Sequence, residues 1–237
     1  EVIGKVVKSE DIPAATQLFT PNWIVKYLVQ NSLGRQWMAT YPDSPLKQQM
    51  EFYIEPAEQT PEVQQQLDEI TPDSLNPEEL TLLDPACGSG HILVEAYDLF
   101  QAIYAERGYR ARDIPKLILE KNLFGLEIDD RAAQLAAFAL MMKAREDDRS
   151  IFERGVQLHV LAIQESKGLD TAEITEALNA SLPDGSTGDI SQADVAQLIE
   201  LFEHGKTFGS LIRVPESLGQ KLSDIFLRLQ RIGQEGD

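Results

Sequence analysis

Residues 84–90 read DPACGSG, and they stand between the apolar run Leu80–Leu83 (LTLL) and the stretch Ile92–Phe100 (ILVEAYDLF). An acid, a proline, small residues and two glycines in that place predict a tight turn from a strand into a helix. Leu80–Asp84 is expected as a buried strand. Ile92–Gly108 is expected as a helix with Leu93, Ala96, Phe100, Ile103 and Tyr104 toward one side. Gly88 and Gly90 let backbone N–H groups approach a ligand closely, and the following helix adds a dipole that favours an anion.

Downstream the alternation continues. Asn122–Asp129 (NLFGLEID) predicts a second strand, and Arg131–Asp147 a second helix, so apolar that it is expected to be well covered. Asp129 and Asp130 suit the start of that helix. Val156–Ile163 alternates like a third strand. Strand, helix, strand, helix, strand predicts a parallel sheet with right-handed crossovers.

Upstream, Thr20–Trp37 predicts one helix, with Thr20 as N-cap, Pro21 at the first helical position and Gly34 as a candidate for its end. Six of the twelve prolines fall between Pro42 and Pro77. That segment reads as a surface excursion holding a short helix near Glu62–Ile70. In the tail, Ser181–Asp189 is a turn-rich loop, and Ser191 with Asp194 predicts a capping box opening a helix to about His204. Leu218–Gln230 is amphipathic, with Leu222, Ile225, Phe226 and Leu229 on one face.

The 237 residues are 43% apolar, enough for a substantial core, and hold a single cysteine, Cys87, which excludes an internal disulfide and fits a reducing cytoplasm. No apolar run is long enough for a membrane span and no signal-peptide pattern opens the chain, so no membrane partner is expected. His91, His159 and His204 lie far apart, which argues against a structural zinc site. The net charge of −18 is unlike that of a protein gripping nucleic acid by its own surface. If the protein works on DNA, the grip comes from elsewhere.

The letters discriminate among ligands for the glycine loop. A P-loop requires Gly-Lys-Ser/Thr, and no Lys follows. A dinucleotide fingerprint requires a third Gly where this chain has Leu93. S-adenosylmethionine (SAM) remains, with an ammonium and a carboxylate at one end and a ribose at the other. Asp84 at the first strand's end suits the ammonium. Glu127, near the end of the second strand, suits both ribose hydroxyls, and Ile128 beside it suits the adenine.

Asp84–Gly90 resembles motif I of the amino-directed DNA methyltransferases, especially those modifying adenine N6. Leu123–Asp129 (LFGLEID) resembles their motif II, and Gln17–Pro21 (QLFTP) their motif X. The combination is most similar to methyltransferases of the BREX phage-defence systems, and restriction–modification fusion enzymes share much of it. The likeness runs from about Asp11 to Glu165. It implies a Rossmann-like SAM-dependent methyltransferase fold, an α/β parallel sheet with helices on both faces, here incomplete and with additional helices. It further implies that Phe19, Thr20 and Pro21 meet the methionine part of SAM, that Asp84, Ala86, Gly88 and Gly90 form the floor, and that Glu127 and Ile128 take the ribose and adenine. An acid after the third strand meets the adenine amino group in the family. Here Gln164 and Glu165 are the candidates, with Gln164 placed first. Cys87 is not a nucleophile on this reading, and His91 covers the loop.

One departure matters. The family's Asn/Asp-Pro-Pro-Tyr/Phe tetrapeptide occurs nowhere in the 237 residues, so no catalytic residue is assigned. The chain is expected to be the front part of a longer enzyme, inactive alone, whose double-stranded DNA contacts lie outside it; other defence-system proteins are expected partners. The expected organisation is an N-terminal segment (1–41), a Pro/Glu/Gln-rich insert (42–79), a SAM-binding α/β core (80–165) and a mostly helical segment (166–237). Two alternatives stand beside it: a SAM-dependent methyltransferase of a non-DNA substrate, and a non-catalytic interaction module built on the same fold.

Overall fold

The computed structural model describes residues 20–180, 190–219, 221 and 225. Its contacts divide the chain into two units, 1–162 and 163–237. The first holds a parallel sheet of three strands in the order β1-β2-β3: β1 is Leu82–Asp84, β2 Leu123–Glu127 and β3 His159–Ala162. Leu82 pairs with Leu123, and Phe124 with His159, so the three strands add in one direction across the sheet.

That one-way order decides where the helices go. Right-handed crossovers between strands added successively on the same side place their helices on the same face. The crossover helices after β1 and β2 (His91–Glu106 and Asp130–Asp147) both enter one core with Leu123 and the flanking Leu82 and Val160. These residues share one side of the pleat. On the other side, Leu83 is 58% exposed and Leu161 59%. The expectations of a buried first strand and of helices on both faces are therefore corrected: among the described residues one face is covered. A sheet gains its second helical layer where strand order reverses, and no reversal occurs within these three strands.

Helices of the first unit are numbered in chain order: α1 Asn22–Asn31, α2 Leu33–Thr40, α3 Pro61–Ile70, α4 His91–Glu106, α5 Ile114–Leu117 and α6 Asp130–Asp147. The expected single helix over Thr20–Trp37 is two, broken at Ser32. The Ser32 hydroxyl bonds back to the Leu28 carbonyl at 2.7 Å, and the Asn31 side chain donates to the Tyr27 carbonyl within α1 and also bonds the Phe52 and Ile54 backbone. Pro21, not Thr20, is the N-cap. Gly34 ends nothing; it is buried in α2 beside Met50. α3 carries no buried residue, in keeping with a surface excursion.

α4 buries the expected stripe, with Leu93, Ala96, Phe100, Ile103 and Tyr104 all inaccessible, and Tyr97 beside them. α6 buries mainly alanines (Ala132, Ala133, Ala136, Ala144) and Leu140, so it lies close to α4. It is not covered all round: Leu135, Phe138 and Met142 are exposed. Small residues, with Leu140, seat this helix, while Leu135, Phe138 and Met142 point outward.

The second unit contains α7 (Thr171–Ala180), α8 (Gln192–Phe202) and α9 (Gly205–Phe208). Leu178, Ile190, Val195 and Ile225 form its buried cluster. The capping box at Ser191 and Asp194 is present, and the Asn179 side chain holds both backbone groups of Ile190 at 3.0 Å. Of the apolar face expected at Leu218–Gln230, Ile225 is buried; Leu222, Phe226 and Leu229 lie outside the described residues.

Candidate functional site

β1 and β2 end side by side, which sets Asp84 and Glu127 on neighbouring strand ends with the glycine loop between β1 and α4. The loop is pinned to β2 twice. The Cys87 N–H donates to the Leu126 carbonyl at 2.9 Å, and the Gly88 N–H donates to Glu127 Oε2 at 2.7 Å. The other carboxylate oxygen, Oε1, accepts from the N–H groups of Ile128 (2.9 Å) and Asp129 (3.2 Å). One carboxylate thus ties together the turns after both strands. Charge-assisted hydrogen bonds of this kind are about twice as strong as neutral ones.

Asp84 is buried, and its Oδ1 accepts from the Ala86 N–H at 3.2 Å. Burial pushes its carboxyl above the ordinary aspartate value, the Ala86 N–H opposes that shift, and the nearby charge of Glu127 adds to it. The same burial, with Asp84 and Glu127 adding, lifts the Cys87 thiol to about 12. At neutral pH Cys87 is a protonated, buried thiol rather than a nucleophile.

Two glycines are required by contact. Gly90 has φ +86° and caps α4; a Cβ there would stand 2.9 Å from Ala136 Cβ. Gly125 in β2 lies under the loop, where a Cβ would meet Leu93 at 2.9 Å and Cys87 Sγ at 3.1 Å. Gly88, at φ +53°, faces open space instead. The floor is therefore tight beneath and open above, the shape a loop needs if its backbone is to meet a ligand.

A family model described as "MmeI, DNA-methyltransferase domain" matches residues 57–177, just over half of the chain and all of this loop, both strand ends and β3. The chain belongs to the MmeI DNA-methyltransferase domain family. The whole chain is 61% identical to an adenine-specific methyltransferase, BrxX, of Escherichia coli O9:H4 (strain HS). It is 41% identical, over 89% of its length, to an adenine-specific methyltransferase, PglX, of Lacticaseibacillus casei (strain Zhang). It spans 21% and 17% of those two proteins, about a fifth of their length.

Within this family member, the residues expected at the site fall into three groups. Asp84, Ala86, Gly88, Gly90, Glu127 and Ile128 come together around one loop. Thr20 and Pro21 stand at the start of α1, which with α2 runs alongside α4 in the same direction: the charge of Lys26 in α1 acts on Glu95, and in α2 Gly34 faces Leu99 and Trp37 Nε1 donates to Glu106 at 3.3 Å. That parallel run puts Thr20 and Pro21 at the loop end of α4. Phe19 lies outside the described residues. Gln164 and Glu165 are exposed and belong to the second unit. His91 opens α4 directly after the loop.

Two residues of the site carried no role in the sequence reading. Gly125 was visible within LFGLEID, yet its use, making room for Leu93 and Cys87, depends on β2 packing under a loop and helix that come 38 and 32 residues earlier in the chain. Ala136 was hidden among the alanines of α6, and only the approach to Gly90 singles it out.

Proposed function

We propose that this chain is the SAM-binding part of a longer DNA methyltransferase that methylates adenine N6 and serves phage defence. The observation that carries the reading is the Glu127 carboxylate on the strand end beside β1, bonded to the Gly88 N–H over a loop whose upper side is open. The fit to SAM rests on donor chemistry. Asp84 and Glu127 supply two carboxylates at adjacent strand ends, suited to a ligand with an ammonium group and vicinal ribose hydroxyls.

On this reading Glu127 takes the ribose hydroxyls, Ile128 the adenine, and Asp84, Ala86, Gly88 and Gly90 the methionine end, closed by Phe19, Thr20 and Pro21. SAM, when bound, supplies the electrophilic methyl group. The chain's own residues bind and orient it, and burial around Asp84 keeps water from that end. No residue here is assigned to the transfer, because the sequence lacks the Asn/Asp-Pro-Pro-Tyr/Phe tetrapeptide. Methylation by this segment alone is therefore not expected, and duplex DNA is gripped by other parts of the longer protein, consistent with a charge of −18 here. Among the described residues β1 pairs with β2 alone, so its other edge is where further strands of the longer protein would join. Strands added there would make β1 the point where strand order reverses, the usual ligand position in such sheets.

Calorimetric titration of SAM and S-adenosylhomocysteine into the chain tests this. Micromolar binding corresponds to about −8 kcal/mol. Glu127→Ala is expected to weaken it at least about tenfold, since two hydrogen bonds to a charged group contribute about 1.5–3 kcal/mol each. A folded sample that binds neither ligand, or binds both equally well after Glu127→Ala, overturns the reading.

A further inference from the structure

At the end of α4 away from the glycine loop, the local charge reverses. Between residues 107 and 121 stand five basic residues (Arg107, Arg110, Arg112, Lys116, Lys121) and two acidic ones (Asp113, Glu120), in a chain with 21 basic and 39 acidic residues overall. The corner encloses an open cavity of about 650 Å³, lined by the cations Arg107, Arg110, Lys116 and Arg154 and by the carboxylates Asp113 and Glu120. That volume lies within the range of small-molecule sites, about 300–1,000 Å³.

Three of the four cations are held in place. The Arg107 guanidinium stacks 3.6 Å from the Tyr41 ring centre and 4.9 Å from that of Trp37, so its N–H edges stay unspent. Arg154 is fixed by Asp148 at 2.8 Å, by the Arg112 carbonyl at 2.7 Å and more loosely by Asp113. Lys116 donates to the Arg154 carbonyl at 3.0 Å and lies 3.5 Å from Glu120. Arg110 is exposed at the rim. The pairs with Asp113, Glu120 and Asp148 offset part of the charge, and four cations against these three carboxylates leave a surplus of one positive charge, carried by the unpaired Arg107 and Arg110 side of the cavity. Side chains already held in position lose little freedom when a ligand arrives, and the planar guanidinium fork matches phosphate oxygens.

We propose that this corner is an anion site for a phosphate ester of about mononucleotide size, separate from the SAM site. α4 has 16 residues, so the two lie roughly 24 Å apart along it, too far to share a ligand. The proposal does not depend on the SAM reading. The phosphate comes either from a free nucleotide or from the backbone of a duplex, and the two sources are separable.

The test uses inorganic phosphate, thymidine 5′-monophosphate, thymidine and a short duplex, each titrated into the chain at low salt, beside Arg110→Glu and Arg110→Lys. Thymidine compounds avoid the adenosine chemistry expected at the other end. Binding of the monophosphate but not of thymidine is expected, weakened at least about tenfold by Arg110→Glu and largely kept by Arg110→Lys, and falling with added salt. Binding of the duplex alone, with the same response to Arg110→Glu, supports the site and assigns the phosphate to a nucleic-acid backbone. Absence of binding by every phosphate probe, or binding indifferent to Arg110→Glu, overturns the proposal. The Arg110 side chain is exposed, so an unchanged melting curve separates lost binding from lost fold.

Discussion

The two ends of α4 are built by opposite means. At its start the chain turns on glycines, and the groups that matter are backbone N–H groups held by two carboxylates, Asp84 and Glu127. At its finish the structure is made of side chains: Trp37 and Ser44 on the Glu106 carboxylate, Arg107 across Tyr41, and Tyr104 on the wholly buried Asn122. A backbone site tolerates no Cβ where the loop is tight, while a side-chain site tolerates no lost partner. The difference predicts which substitutions each end rejects.

The largest effect is expected at the side-chain end. Asn122 accepts from the Tyr104 hydroxyl at 2.9 Å and donates to the Pro77 and Leu80 carbonyls at 2.7 Å each, clamping the exit of the 42–79 segment to the start of β2. Asn122→Ala strands three buried groups, at about 1–3 kcal/mol each before relaxation. A loss of about 3–5 kcal/mol is expected in urea unfolding, and a loss below about 1 kcal/mol would show that the clamp is ornamental. The backbone end comes next. Gly90→Ala meets both a left-handed φ and Ala136, which together cost about 2–4 kcal/mol. Because Gly90 opens α4 beneath the loop, ligand binding at the loop should fall with it. Gly88→Ala, with the same sign of φ but open space, should cost less; equal losses would mean that strain alone, without the Ala136 contact, decides the floor.

The same contrast explains what the sequence disclosed. Local chemistry was readable: the apolar stripe of α4, the Asp129 cap whose Oδ1 accepts from the Arg131 N–H at 2.9 Å, the capping box at Ser191, and a loop whose glycines sit next to two strand-end acids. What failed depended on partners distant in the chain. The break at Ser32 follows partly from Asn31 reaching Phe52 and Ile54. The outward Leu135, Phe138 and Met142 contradict an inference from apolarity, because α6 is seated by its alanines. The exposure of Leu83 and Leu161 follows from strand order, which no single segment encodes. At the site, Asp84, Gly88, Gly90 and Glu127 were legible together, whereas Gly125 and Ala136 acquire a role only once the helices are packed. The basic corner was not singled out in the sequence: its charges lie between Arg107 and Lys121, but its aromatic support at Trp37 and Tyr41 lies far upstream.

The smallest predicted effect is also the most diagnostic, because the two ends should respond to pH with opposite signs. Asp148, just past α6, is held down to about 2 by Arg154, with Ser150 assisting. An unfolded aspartate titrates at about 3.9. Between those values the unfolded chain binds more protons, so the Asp148 contribution is complete above about pH 4 and fades toward pH 2. Asp84 shifts upward through burial, so its folded form holds its proton longer than the unfolded chain does. Its contribution therefore falls as pH rises past about 4 and stays lower at neutrality. Measured by urea unfolding from pH 2 to pH 7, Asp148→Asn should lose stability relative to the parent above pH 4 and match it near pH 2. Asp84→Asn should match the parent at low pH and gain on it as pH climbs. Shifts of the same sign for both variants would mean that Asp84 is not held as a buried acid. The carboxylate pair around the glycine loop would then be solvated before any ligand arrives, and the electrostatic contrast between the two ends of α4 would vanish.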